Sequence, residues 1–104
     1  MKMIGVIIIK LFSNKKKYVI SFEKLHKCID NIGTVAIITD DCIIRTLYNL
    51  KEKYNFDVVS LELKDTFESL IKIQCEKDMK DKIFMEFCMM LSGKITKSKI
   101  KRYI

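Results

Sequence analysis

The sequence predicts a single-domain α/β layered sandwich: a mixed or largely parallel sheet of about four strands with helices on both faces. Three observations predict it. Strand-like and helix-like patterns alternate along the chain, which implies crossover connections between strands of one sheet. The run Val35-Ala36-Ile37-Ile38 is apolar throughout, as in a central strand covered on both sides. The chain has 104 residues, 49% hydrophobic and 32% charged, the balance of one globular domain with its own core rather than of a disordered segment.

The elements follow in order. Residues 3–12 are almost wholly apolar, and Ile7-Ile8-Ile9 favours a buried strand by β-branching, with a hydrophobic helix as the alternative. The run is too short to span a bilayer, which takes about 20 apolar residues. Ser13-Asn14-Lys15-Lys16-Lys17 follows it where a signal peptide would carry a small-residue cleavage site. Tyr18-Val19-Ile20 is a short strand. Ser21 reads as the N-cap of an amphipathic helix with Phe22, Leu25, Cys28, Ile29 and Ile32 on one face, closed by Gly33. After the Val35–Ile38 strand, Asp40 or Asp41 caps a helix carrying Ile43, Ile44, Leu47, Leu50 and Tyr54.

Residues 57–63 form the next strand. Asp65 or Thr66 opens a helix with Phe67, Leu70, Ile71 and Gln74 on its face. Met79 to Leu91 fits a helix or a strand equally well, and Gly93 ends it. The domain is expected to occupy residues 1–93, with residues 94–104 as a basic C-terminal tail anchored by Ile95, Ile100, Tyr103 and Ile104.

Catalytic signatures are sparse. Cys28, Cys42, Cys75 and Cys88 form no C-x-x-C pair and sit in apolar surroundings, as reduced thiols of a cytoplasmic protein do. The lone histidine, His26, has no readable nucleophile or acid partner, and no glycine-rich phosphate loop is present. No catalytic residue and no cofactor are therefore assigned. Asp40 and Asp41, with Asp57, Glu62 or Asp65, are the one candidate metal set, of the kind a metal-dependent nuclease uses to activate water. Helix capping by Asp40 and Asp41 accounts for them as well.

Charge is the more informative signal. The net charge is +7 and is concentrated in two segments. Lys10, Lys15, Lys16 and Lys17 come with no acid among them, and no acid follows Glu86, while Lys94, Lys97, Lys99, Lys101 and Arg102 do. Such segments attract polyanions, because each neutralised phosphate releases counterions.

The segment from about Ile4 to Cys88 resembles the kink-turn RNA-binding ribosomal-protein superfamily in the order of its parts. Tyr18-Val19-Ile20-Ser21 is similar to the family's first strand and the turn before its RNA-facing helix. Leu25-His26-Lys27-Cys28-Ile29 is similar to the apolar face of that helix. Val35-Ala36-Ile37-Ile38-Thr39-Asp40-Asp41-Cys42 resembles the central strand and the acidic turn after it. The resemblance implies an α/β/α sandwich in which Ser21, Lys24 and Lys27 contact RNA, with Asp40 and Asp41 at the rim.

The expected function is a small non-enzymatic nucleic-acid-binding module, RNA ahead of DNA, with no membrane partner. Its contacts are Lys15, Lys16, Lys17, Ser21, Lys24, Lys27, Lys97, Lys99, Lys101 and Arg102. The alternative is a regulatory or virus-encoded homodimer that uses the Met-rich C-terminal third as its partner face. A second alternative is the nuclease built on Asp40 and Asp41.

Overall fold

The computed structural model describes residues 15–25, 32–64 and 67–103, with side chains from residue 40 onward in the second stretch. Strand β1 (Lys15–Lys24) is followed by helix α1 (Ile32–Tyr54), strands β2 (Asp57–Glu62) and β3 (Ser69–Glu76), a 3-10 turn at Lys77–Met79, helix α2 (Lys80–Met90) and strand β4 (Ile95–Arg102). The sheet order is β2-β3-β1-β4, and every neighbouring pair is antiparallel. Two βαβ units interlock: β3 of the second lies between the strands of the first, and β1 of the first lies between the strands of the second. This is the split βαβ connectivity.

Period-two burial builds the inner face of the sheet. Tyr18, Ile20 and Phe22 of β1 and Ile71, Ile73 and Cys75 of β3 are buried. The directly opposed pairs Tyr18–Ile73 and Ile20–Ile71 lock the register, because a one-residue slip would turn these side chains to the other face. Ile43, Leu47 and Leu50 of α1 and Ile83 and Phe87 of α2 complete the same core, so both helices cover one face. Phe22 and Phe87 meet with ring centroids 5.6 Å apart and planes tilted by 59°, joining sheet to helix at the centre.

Local signals end the helices. Asn55, at φ 52°, closes α1 in the left-handed region that Asn tolerates, and its N–H donates to the Lys51 carbonyl at 2.8 Å. Gly93, at φ 83°, lets the chain turn out of α2 into β4, where a residue with a Cβ would be strained. The Leu25 N–H donates to the Lys94 carbonyl at 2.9 Å and ties that turn to the end of β1.

The layered sandwich is overturned. The sheet is wholly antiparallel, and among the described residues both helices lie on one face, so the α/β/α layering implied by the resemblance falls with it. Residues 35–38, expected as the central strand, belong to α1. Each β-branched residue costs a helix only a few tenths of a kcal/mol, which the amphipathic stripe Ile43, Leu47 and Leu50 outweighs by extending the helix through the run. Residues 69–74, expected as part of a helix, belong to the inner strand β3, and Ser21, expected as a helix cap, lies inside β1 with Phe22 and Lys24. Residues 95–102, expected as part of a tail, form β4. Met79–Leu91 resolves chiefly into α2, while the expectations for residues 3–12 and for His26, Lys27 and Cys28 lie outside the described residues.

Candidate nucleic-acid interface

An antiparallel sheet with both helices on one side has a second face that no other element among the described residues covers. Strand register says which residues share that face, because directly opposed residues point the same way. One row across the sheet reads Ser60, Lys72, Val19, Lys101. A second reads Glu62, Leu70, Ser21, Lys99. A third holds Asp57, Gln74 and Lys17, extended by Tyr103, whose N–H donates to the Lys17 carbonyl at 2.9 Å. Lys15 opposes Glu76 beyond them.

Basic side chains gather toward the β1–β4 side of this face. Lys17, Lys99 and Lys101 are exposed, and the Lys72 Nζ stands 4.3 Å from the centroid of the Tyr103 ring. Acids sit toward the margins. Glu62 accepts an ion pair from Lys64 at 3.6 Å, and Glu23 one from Lys97 at 3.4 Å. Lys97 has φ 54° where the β1–β4 register shifts, between Ser21 and Glu23. That bulge lets Lys97 turn to Glu23 while Lys99 and Lys101 keep the alternation.

The expected contact residues therefore separate. Lys15, Lys17, Ser21, Lys99 and Lys101 share the open face, although Ser21 is itself buried. Lys16 opposes Cys75 and Arg102 opposes Tyr18, which puts both on the helix-facing side. Lys24 also points inward. Its side chain is 1% exposed, and its Nζ lies 2.8 Å from the Asp40 carboxylate. Lys27 lies outside the described residues.

Two members of the open face were not anticipated. Lys72 belongs to β3, which the helical expectation for residues 66–74 concealed, and Tyr103 was expected only as a tail anchor. The alternation of Ile71, Ile73 and Cys75 with Lys72 and Gln74 was the available signal for both the strand and its polar face.

Among the described residues the carboxylates do not assemble the metal set, and Asp65 lies outside those residues. Asp40 and Asp41 are successive residues inside α1, about 100° apart around its axis. Asp40 turns to Lys24, and Asp41 pairs with Arg45 at 3.5 Å. Among the described residues, no three His, Cys, Asp or Glu side chains group as ligands would around a metal ion. The Cys75 thiol is buried, and desolvation, with the neighbouring Glu76 carboxylate, pushes its pKa to about 11. Burial also pushes up the Cys88 thiol, so neither is disposed to act as a thiolate nucleophile at neutral pH.

On the outer side of the helices, Lys53 of α1 pairs with Glu86 of α2 at 2.7 Å. That hydrogen bond raises the Lys53 pKa and lowers that of Glu86. Beside it, Met85, Met89 and Met90 are 61%, 71% and 48% exposed. No helix among the described residues is long and apolar enough to cross a membrane. Compared with protein-family models, curated proteins and solved structures, the chain matches none.

Proposed function

We propose that the chain is a non-enzymatic nucleic-acid-binding module that holds phosphates on the open face of its sheet, with RNA the first partner to test. The observation that carries the reading is the pairing of β1 with β4. It places Lys101 opposite Val19 and Lys99 opposite Ser21, and brings Tyr103 to Lys17, so the two basic stretches lie on neighbouring strands. Lys72 of β3 continues the charge across Val19. Solvated ammonium groups on a framework-held sheet surface bind phosphates with little reorganisation and release condensed counterions.

The test is fluorescence anisotropy with a labelled RNA at two salt concentrations. Binding in the micromolar range that weakens with salt is expected. Replacing Lys99 and Lys101 together with alanine should lower the log–log salt slope by about 1.4 on a single strand, at ~0.7 per phosphate contact. No salt-dependent binding of RNA or DNA below about 10 µM, the range that nonspecific binders usually reach, would remove the reading.

A second reading rests on the exposed Met85, Met89 and Met90 of α2. Unbranched thioethers adapt to a partner surface, and a second copy of the chain would cover them in a homodimer. Light scattering should then give a dimer mass that Met89→Lys returns to the monomer. A monomer at every concentration tried would end this reading.

A further inference from the structure

The same face carries an aromatic ring among its lysines, and its shape limits the form of nucleic acid it can accept. Four strands at about 4.8 Å spacing make a surface roughly 14 Å across before side chains are added. The major groove of B-DNA is about 12 Å wide and admits a helix or a two-stranded ribbon. The major groove of an RNA duplex is narrower and deeper still. The face therefore cannot enter either major groove, whereas unpaired bases can lie against it.

Tyr103 is where such a base would rest. Its backbone N–H is fixed to the Lys17 carbonyl at 2.9 Å, and its ring is held under the Lys72 ammonium at 4.3 Å. The ring is thus oriented in advance, with a cation on its π system and Lys17 opposite on the next strand. Lys99 and Lys101 stand two residues apart on β4, whose last residue precedes Tyr103, about 7 Å from one to the other. Val19, between Lys72 and Lys101 in the adjacent row, supplies apolar contact area.

We infer that the open face binds single-stranded nucleic acid, with one base stacked on the face of the Tyr103 ring opposite Lys72 and the adjoining phosphates held by Lys17 and Lys101. The inference rests on the nucleic-acid reading above and deepens it: that reading needs only phosphates, and this one needs an unpaired base. A stacked base adds affinity without choosing a sequence, because every base has a π face.

The experiment compares a fluorescein-labelled oligouridylate, the matching oligothymidylate and a blunt RNA duplex on the full chain. Both single strands should bind at least about tenfold more tightly than the duplex. Tyr103→Ala should weaken single-strand binding by about tenfold, within the range of alanine substitutions at stacked bases, and leave duplex binding unchanged. The chain contains no tryptophan, so Tyr103→Trp introduces one indole whose emission should be quenched when a single strand binds. It also shows whether a bulky ring at this position leaves the fold intact.

Equal affinity for duplex and single strand overturns the inference. So does a Tyr103→Ala variant with unchanged single-strand affinity when Lys99→Ala with Lys101→Ala still weakens binding. Either result leaves the phosphate reading standing. Absence of salt-dependent binding to all three probes removes both.

Discussion

Truncation of Phe87 to alanine is expected to lower the unfolding free energy by about 4 kcal/mol, the usual range for a fully buried phenylalanine. Phe87 is wholly buried on α2 and meets Phe22 of the central strand β1 with centroids 5.6 Å apart. The loss includes transfer of the ring, its contact with Phe22 and a cavity between helix and sheet. Ile83 and Leu91, also wholly buried, flank it along the same side of the α2 segment. Because all three are held to rigid elements, the site should collapse little. Domains of this kind unfold with about 5–15 kcal/mol, so the variant would sit near the edge of folding. Urea denaturation followed by circular dichroism measures it. A shift below about 1.5 kcal/mol, the level of a volume-conserving swap, would show that Phe87 is not at the centre of the core.

The second large effect belongs to Asp40. Replacing it with alanine is expected to cost about 3 kcal/mol, toward the lower end for a broken buried pair. The asymmetry of exposure sets this value. The Lys24 side chain is 1% exposed and that of Asp40 is 35%, so water already solvates part of the carboxylate but almost none of the ammonium. Removing the acid leaves a buried cation without that partner, which is the expensive direction. Lys24→Met keeps the buried stem, deletes the charge and leaves a carboxylate that water can reach, so it should cost clearly less. Equal costs for the two variants, or less than about 1 kcal/mol for Asp40→Ala as at an exposed pair, would contradict this account. The same pair explains why Lys24 does not belong with the phosphate contacts and why Asp40 does not belong to a metal site. Each charge is turned inward to the other.

The failure at residues 35–38 has a definite cause. A run of four apolar residues carries no periodicity of its own, and its length with no polar position favours a central strand. What settles it is the segment that follows, where Ile43, Leu47 and Leu50 recur at helical spacing and are buried together. Residues 66–74 mislead in another way. Phe67 and Leu70 supplied a helical spacing, but Phe67 is 72% exposed, and the alternating Ile71, Ile73 and Cys75 point to the core. Ser21 has the chemistry of a cap and occupies a strand because Tyr18, Ile20 and Phe22 on either side of it are needed on one face.

Composition and charge spacing alone determined that the chain can bury one core and that its basicity sits in two segments far apart in sequence. Those properties depend on residue type and count. Only the tertiary structure decided which elements lie side by side, because strand pairing joins residues nearly eighty positions apart, such as Ser21 and Lys99, through hydrogen bonds that leave no local pattern. That pairing puts Lys17, Lys99 and Lys101 on one face with Lys72 and Tyr103, and turns Lys16, Lys24 and Arg102 to the other. A period of two means that neighbouring lysines in one basic run must part company when the run becomes a strand.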